Sequence, residues 1–424
     1  MDHENNSQFS PLHSPLPQGY KQTEVGVIPE DWDAGCLGRF WSVTDCKHVT
    51  AQFVANGFPL ASIREVQSRF IDLANAKQTT QEFYLLLIEG GRKPRIGDLI
   101  LSRNATVGEM AQVADWHPPF AMGQDVCLLR KNSPDFSTNY LQSLFRSSII
   151  ANQLTDLMVG STFKRVNIEQ IKEFAVPMPP PPEQEAIAEA LSDADALIES
   201  LTQLIAKKRQ LKQGAMQELL TGKRHLHGFS GEWEVKTLSE IGESLIGLTY
   251  KPGDVRDTGL LVLRSSNVFE GTLRFEDNVF VDVDVPERII VRRGDILICV
   301  RNGSRDLIGK CARIDERAEG MTFGAFMAVF RTPFHNFVHH QFQSDVIKRQ
   351  IHEHLGATIN QITNKSLNSF QIPFPTDEEE QSAIAAILSD MDAGIAALET
   401  KLAKARDIKQ GMMHNLLTGR IRLV

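Results

Sequence analysis

The sequence predicts an α+β protein made as a tandem repeat, in which each of two α+β units is followed by a long helix. The stretch 160–223 (GSTFKRVNIEQIKEFAVPMPPPPEQEAIAEALSD…LLTGK) returns at 356–420 (GATINQITNKSLNSFQIPFPTDEEEQSAIAAILSD…LLTGR). The period of about 197 residues is far longer than the ~20–50 residues of a solenoid unit, so it indicates a duplicated domain with its connector. The expected fold class is therefore two α+β domains in pseudo-two-fold tandem repeat, separated by two long helices that form an antiparallel coiled coil.

Composition limits the classes of protein that fit. A chain of 424 residues with 42% hydrophobic content can form two to three domains with cores of their own. No apolar run reaches the ~18 residues of a membrane span. The five cysteines form no CxxC pair, which is typical of a reduced, cytoplasmic protein. The net charge of −8 argues against a protein that holds nucleic acid by bulk charge alone, so a DNA reader of this kind needs local basic patches or a basic partner.

The chain opens with a Ser-, Pro- and Asn-rich segment, residues 1–18, that predicts a disordered tail. The first α+β domain is expected at 19–177 and the second at 227–373, each opening on a Gly-to-Trp entry (26–32 and 228–233). Short apolar runs such as 98–101 and 295–300 predict strands, and 139–157 and 336–355 predict helices. The Gly-Asp pairs at 97–98 and 294–295 precede strands and are interpreted as turns rather than as catalytic aspartates.

A proline run and then a helix follow each domain, at 178–226 and 374–424. The prolines at 177–182 are expected to continue neither strand nor helix. Apolar residues recur with a 4-3-4-3 spacing in both segments, which predicts a coiled-coil seam, and Thr-Gly pairs near 221 and 418 predict the helix ends. Helices of about 36 residues span roughly 55 Å. The predicted seam comprises Ile187, Leu191, Ile198, Leu201, Ile205, Ile384, Leu388, Met391, Ile395, Leu398 and Leu402.

These features together resemble the specificity subunit of Type I restriction–modification systems. The entry YKQTEVGVIPEDW, the turns GDLILSRN and GDILICVRNGS, the exit GST…IEQIKEFAVPMPPPPEQEAIAEAL and the LLTG helix ends carry the resemblance over nearly the whole chain. It implies two target-recognition domains, each reading one half of an interrupted, asymmetric DNA sequence, and helices that set the spacer length. It also implies a subunit without catalytic activity or a cofactor of its own. Its partners would be double-stranded DNA, two modification subunits that carry S-adenosylmethionine and methylate adenine, and, through them, two motor-nuclease subunits.

Base readout needs donors and acceptors in loops, and Arg, Asn and Gln are the residue types that pair best with base edges. Matched polar loops of the two domains supply the candidates, and basic residues before the first Gly-Asp turn are candidate phosphate contacts. The candidate DNA-binding residues are Arg92, Lys93, Arg95, Ser102, Arg103, Asn104, Thr106, Ser161, Thr162, Lys164, Arg165, Arg264, Ser266, Asn267, Arg301, Asn302, Ser304, Arg305, Thr358, Asn360 and Gln361.

The sequence shows no motif typical of a catalytic, metal-binding or nucleotide-binding site. The histidines at 335–354 do not form HExxH, so no metal site is expected, and the glycine loop at 303–310 has one residue too many for a phosphate loop. Two alternatives stay open: a coiled-coil scaffold whose α+β units bind proteins, and an enzyme with an unrecognised site. A scaffold has no need of polar loops at equivalent places in both units.

Overall fold

The computed structural model describes residues 16–158, 165–355 and 360–423. The chain divides into two compact units. The first comprises the residues up to Ser200 together with those from Leu402 onward, and the second comprises Leu201–Lys401. Each long helix is thus shared between the units, whereas the sequence-based boundaries give each helix a segment of its own.

The first unit contains twelve strands within its described residues, numbered in chain order. They are β1 (Tyr20–Thr23), β2 (Gly26–Pro29), β3 (Asp33–Cys36), β4 (Trp41–Asp45), β5 (Phe53–Val54), β6 (Phe58–Ala61), β7 (Gln78–Thr79), β8 (Leu99–Ser102), β9 (Met110–Gln112), β10 (Ala121–Met122), β11 (Val126–Lys131) and β12 (Ala175–Met178). Its helices are α1 (Leu37–Phe40), α2 (Gln81–Leu87), α3 (Thr138–Phe145), α4 (Ser148–Met158), α5 (Ile168–Lys172) and the start of α6 (Pro181–Leu219), with a 3-10 turn at Ile63–Val66.

The second unit repeats this plan. Its strands are β13 (Trp233–Thr237), β14 (Glu243–Ile246), β15 (Val255–Arg256), β16 (Leu260–Leu263), β17 (Val268–Phe269), β18 (Thr272–Leu273), β19 (Phe280–Val281), β20 (Ile296–Cys299), β21 (Cys311–Arg313), β22 (Thr322–Phe323), β23 (Met327–Arg331) and β24 (Gln371–Pro375). Its helices are α7 (Leu238–Ile241), α8 (His335–Gln343), α9 (Asp345–Leu355), α10 (Asn364–Ser369) and most of α11 (Glu378–Leu417), with 3-10 turns at Pro252–Asp254, Ser265–Asn267, Glu287–Ile289 and Arg305–Leu307.

Sheet topology shows the repeat directly. The main antiparallel sheet has the order β4-β11-β8-β9 in the first unit and β14-β23-β20-β21 in the second, so corresponding strands occupy corresponding places. A second sheet in each unit contains one parallel pair, β6 with β10 and β16 with β22. The central strands β8 and β20 are buried along their whole length, as their continuous apolar runs predict. The α+β class is therefore confirmed.

The two long helical stretches predicted within the domains are each two helices. The first breaks between α3 and α4, where the Ser147 hydroxyl oxygen accepts the Ile149 N–H at 3.2 Å. The second breaks between α8 and α9 at Ser344, the counterpart of Ser147. A serine hydroxyl competes with the helical hydrogen bonds of its neighbours, and the apolar periodicity continues across the break, so the pattern alone concealed it.

The expectation that the prolines at 177–182 interrupt both kinds of structure is wrong at its two ends. Pro177 lies within β12, which forms a two-stranded sheet with β3, and Pro181 begins α6. A two-stranded edge tolerates a residue without an N–H, and the first turn of a helix needs no hydrogen bond from that position. The second copy behaves likewise, because Pro373 and Pro375 lie within β24, which forms a two-stranded sheet with β13.

The two long helices run antiparallel within each unit. In the first unit Lys409 Nζ lies 2.5 Å from Asp195 Oδ1, and in the second Lys212 Nζ lies 2.6 Å from Asp392 Oδ1. The early part of one helix therefore meets the late part of the other in both places. Asp195 corresponds to Asp392 in the repeat, and Lys212 corresponds to Lys409, so one ion pair is the internal copy of the other.

The predicted seam residues face inward to different degrees. Seven of them are buried and the other four, Ile198, Met391, Leu398 and Leu402, are partly buried. The first residues of each apolar stripe also pack against an α+β domain, a contact that the predicted seam did not include. Ile187 and Leu191 pack into the core of the first α+β domain, and Ile384 and Leu388 pack into the corresponding core of the second.

A buried carboxylate fixes the start of each long helix. Glu183 is 1% exposed, accepts the Trp32 indole N–H at 2.9 Å and is held by Arg422 through contacts of 2.7 and 2.8 Å. Its counterpart Glu380 is fully buried and accepts the Trp233 indole N–H at 3.2 Å. These contacts explain why each domain opens on a tryptophan.

Candidate nucleic-acid interface

Three separate segments meet in the second unit and bring most of its predicted site residues together. The loop after β20 contacts the 3-10 turn at 265–267, because Asn302 Nδ2 donates to Ser265 Oγ at 3.2 Å. The same loop contacts the segment before α10 through Arg305 Nε, which donates to Asn360 Oδ1 at 3.0 Å. A single backbone bridge between Arg301 and Gln361 closes the arrangement. We call the surface formed by Arg301, Asn302, Ser304, Arg305, Asn360 and Gln361 the second polar cluster.

The second polar cluster is open to solvent. Apart from Asn302, which is partly buried, its residues are exposed. Beside it lies an exposed aromatic ring, Phe326, with the Arg301 guanidinium 5.0 Å from its centre. Phe326 is 58% exposed, and its carbonyl oxygen accepts the N–H groups of Val300 and Arg301 at 3.1 Å. The cluster thus offers arginine and amide donors, amide acceptors and an apolar face, which are the groups that base edges require.

The first unit brings the corresponding segments together with different side chains. Asn104, after β8, forms a single backbone bridge with Arg165, before α5. Thr106 Oγ1 accepts a hydrogen bond at 3.0 Å from Gln67, which follows the 3-10 turn at 63–66. We call Gln67, Asn104, Thr106 and Arg165 the first polar cluster. The two clusters are built on corresponding backbone segments, but the side chains that they expose differ.

Several predicted site residues have structural roles instead. Ser102 is fully buried, and Arg103 is 2% exposed with one guanidinium nitrogen 2.6 Å from Asp45 Oδ1. Asn267 is fully buried, and its amide donates to the Arg274 carbonyl at 2.9 Å. Burial keeps these three side chains from reaching DNA in this conformation. They hold the loops on which their exposed neighbours lie.

The remaining predicted residues divide by exposure. Lys93, Arg95 and Ser266 are exposed and available for contact. Arg92 turns inward, where it donates to the carbonyl oxygens of Asp45 at 2.9 Å and Glu89 at 3.0 Å. Arg264 is held by an ion pair with Asp277 at 2.9 Å. Four predicted residues, Ser161, Thr162, Lys164 and Thr358, lie outside the described residues.

The Gly-Asp turns have a structural explanation. Asp98 accepts the Arg95 N–H at 2.8 Å and holds Arg130 through contacts of 3.0 and 2.6 Å. Asp295 makes the same contacts with Arg331, at 2.9 and 2.7 Å, and this ion pair raises the pKa of the Arg331 guanidinium. Each aspartate thus ties the turn to the neighbouring strand of the main sheet.

One group of potential metal ligands occurs among the described residues. Asp45, Cys46 and His48 place their ligand atoms within 4.8 Å of one another. Arg103 already neutralises Asp45, and burial raises the pKa of the Cys46 thiol, which disfavours the thiolate that a metal needs. The group formed by Asp45, Cys46 and His48 is therefore a poor site for a cation. In the second unit, burial likewise raises the pKa of the Cys311 thiol to about 12.

Sequence reasoning missed several surface groups in the clusters and beside them. Phe326 and Gln67 carry no signal in the sequence, because a single exposed aromatic or amide matches no repeat. Lys348 and Arg349 stand in an amphipathic helix, where a basic pair is typical of a solvated face. Within the described residues, no helix is both long and apolar enough to cross a membrane.

Comparison with known proteins agrees with this architecture. The profile of the family described as "Type I restriction modification DNA specificity domain" matches the chain twice, at residues 40–208 and 230–406. The putative type I restriction enzyme MjaX specificity subunit of Methanocaldococcus jannaschii is 27% identical, over 96% of this chain and 97% of that protein. The MjaVIII specificity subunit of the same organism is 24% identical over 96% of both chains.

Solved structures agree in fold. A chain from a study of assembly and conformational transition of the type I R-M system covers 93% of this chain and 99% of its own, with a TM-score of 0.57 and 20% identity. The type I restriction–modification S subunit of M. genitalium covers 91% of this chain and 96% of its own, also with a TM-score of 0.57, at 16% identity. With the greater part of both α+β units and most of each long helix inside the matched ranges, the chain belongs to the Type I restriction–modification DNA specificity family.

Proposed function

We propose that each polar cluster reads one half of a bipartite, asymmetric DNA target. The observation that carries the proposal is the meeting of the same three segments in both units with different side chains. The first cluster offers Gln67, Asn104, Thr106 and Arg165, while the second has two arginines and three amides among its six residues. A shared frame with different readout groups is what two different half-sites require.

The two long helices act in this proposal as the spacer and as the docking surface for partners. The ion pairs between the antiparallel helices, Asp195 with Lys409 and Asp392 with Lys212, support a spacer of fixed length. Two modification subunits would dock on equivalent faces of the helices, one per repeat, since the faces are internal copies. The modification subunit would supply S-adenosylmethionine and the transfer of a methyl group to adenine, and this chain would supply recognition without catalysis. We place this complex in the cytoplasm, in association with motor-nuclease subunits.

The function is tested by the methylome of cells that express the cognate modification subunit with and without this chain. A two-part adenine-methylated sequence that appears only with the chain is the expected result, and it would give both half-sites and the spacer. If the complex assembles and no methylated sequence changes, recognition is refuted and the coiled-coil scaffold becomes the better explanation.

The spacer role has its own test. Seven residues inserted after Ile205 and seven after Leu402 preserve the 4-3 phase of both stripes and lengthen each helix by about 10.5 Å, the length of about three base pairs. We expect a methylated target with unchanged half-sites and a spacer longer by about three base pairs. An unchanged spacer would refute the spacer role and leave half-site reading intact.

A further inference from the structure

The second unit contains a groove that the recognition proposal does not use. It lies among the C-terminal half of α6, the helix α9 and the loop after β20, with a volume of about 960 Å³. Arg305 and Asp306 line it from the loop after β20, and Lys348 and Arg349 line it from α9. Because Arg305 also belongs to the second polar cluster, the groove and the cluster form one continuous surface.

The groove is basic although the chain is acidic. Two of its cations are neutralised, since Arg209 pairs with Glu270 and Glu399 and Lys212 pairs with Asp392. Five others form no ion pair within the described parts of the chain: Lys223, Arg305, Lys310, Lys348 and Arg349. Lys348 and Arg349 are exposed and lie next to one another on α9.

The fold does not require these charges, because the first unit lacks most of them. At the positions that correspond to Lys310, Lys348 and Arg349, the first unit has Glu109, Ala151 and Asn152. The surrounding packing is the same, since a Cβ at Gly108 would meet Leu154 and one at Gly309 would meet Ile351. Three positive charges have therefore been placed on the second copy of an otherwise shared surface.

We propose that this groove binds the phosphodiester backbone of the DNA beside the half-site of the second polar cluster, so that the second domain supplies more sequence-independent affinity than the first. The inference rests on the proposed recognition function and extends it to an unequal division of labour. A duplex carries regularly spaced negative charges, and exposed lysine and arginine side chains bind them with release of counterions. Charge complementarity and continuity with the second polar cluster both favour DNA over a protein partner.

Counterion release gives the expected size of the effect. Each neutralised phosphate contributes about 0.9 to the slope of log affinity against log salt, which amounts to about eightfold in affinity at 0.1 M salt. Neutralising two contacts should therefore lower the slope by about 1.8 and the affinity by about 60-fold. Both duplexes, cognate and scrambled, should lose affinity by the same factor, because phosphates carry no sequence information.

The test uses the complex assembled with modification subunits and the double variant K348Q/R349Q. Binding to a cognate and to a scrambled duplex is measured over a range of salt concentrations, and a thermal melt checks folding. The matched control is K251Q/R256Q, which removes two exposed charges of the same unit that lie off the long helices and do not line the groove. We expect the lower slope for the groove variant and the wild-type slope for the control.

Three results would overturn the inference. The first is an unchanged salt slope in K348Q/R349Q, and the second is an equal loss in the control. The third is poor assembly of the variant with the modification subunits, while the fraction that does assemble binds DNA as the wild type does. That result would make the groove a protein-docking surface. If the wild-type complex does not distinguish the cognate from the scrambled duplex, the recognition function fails, and the salt slopes still decide the groove.

Discussion

Loss of the Arg422 side chain should destabilise the first unit severely, although this residue lies near the C-terminal end of the described chain. Its guanidinium makes four contacts with carboxylate oxygens, at 2.7 and 2.8 Å to Glu183 and at 2.9 and 2.7 Å to Asp31. These two partners raise the pKa of the guanidinium, so that it stays charged under all ordinary conditions. The substitution R422A leaves the carboxylate of Glu183 buried without its cation.

The two halves of the network differ in weight because their exposure differs. The Asp31 side chain is 55% exposed, so its pair with Arg422 contributes at most about 1 kcal/mol. The Glu183 side chain is 1% exposed, and a buried carboxylate without its partner costs about 3–5 kcal/mol. The Trp32 indole N–H remains as one donor and relieves part of that cost. We therefore expect R422A to lower the free energy of unfolding of this unit by about 3 kcal/mol or more.

Chemical denaturation followed by intrinsic tryptophan fluorescence measures this loss, because Trp32 lies in the network. D31A is the matched control and should cost less than about 1 kcal/mol. The double variant E183Q/R422A should recover part of the stability, since it removes the stranded charge together with its partner. A loss below about 1 kcal/mol for R422A, or no recovery in the double variant, would refute the assignment of Glu183 as a buried anchor that depends on Arg422.

Three further predictions concern other buried groups. Burial lowers the pKa of His340 from 6.5 to about 4; the neighbouring Lys212 acts in the same direction and Asp392 opposes it. The unfolded state therefore takes up this proton first as the pH falls, and His340 should contribute about 2 kcal/mol to the stability lost between about pH 7 and about pH 5. Because burial also lowers the pKa of His339, H340N should still lose stability over this range, but by about 2 kcal/mol less than the wild type, as denaturation at the two pH values would show. Glutamate in place of the buried Leu201 should cost at least about 3 kcal/mol in thermal and chemical unfolding, whereas glutamate at Leu204, which is 39% exposed, should be nearly neutral, and equal losses would contradict the burial of this seam position. R103M should lower stability by about 1–2 kcal/mol and leave the methylated sequence unchanged, and an altered half-site would mean that this side chain reads DNA after all.

Much of the fold could be predicted from the sequence because the repeat and the apolar patterns are strong, local signals. The strands β8 and β20 are short apolar runs bounded by turns, and the stripes of α6 and α11 repeat with a 4-3 spacing over many turns. The breaks between α3 and α4 and between α8 and α9 could not be predicted. There the interruption depends on where a serine hydroxyl donates and accepts, and the apolar pattern is the same for one helix or two.

The candidate site could be predicted at the level of loops and not of side chains. The sequence identified the loop after β8 and the turn at 265–267, yet Arg103 and Asn267 are buried, while beside them Asn104 is partly buried and Ser266 is exposed. Which of two adjacent polar residues turns inward depends on a partner that is distant in the chain, such as Asp45 for Arg103. The pairing of Arg301 with Phe326 is equally non-local, and no spacing rule connects the two.

The paired charges of the long helices bear on how far the two copies of the repeat can differ. Asp195 and Lys212 lie on α6, and their counterparts Asp392 and Lys409 lie on α11. The aspartate of each helix pairs with the lysine of the other helix. Such reciprocity defines an isologous contact, the kind that two identical protomers make with each other. This chain therefore carries, within one polypeptide, a pair of contacts of the kind that a symmetric homodimer makes between its protomers. Because the two copies of the repeat are separate stretches of one chain, each can change without the other, so their loops can differ in charge and in readout groups while both ion pairs are kept.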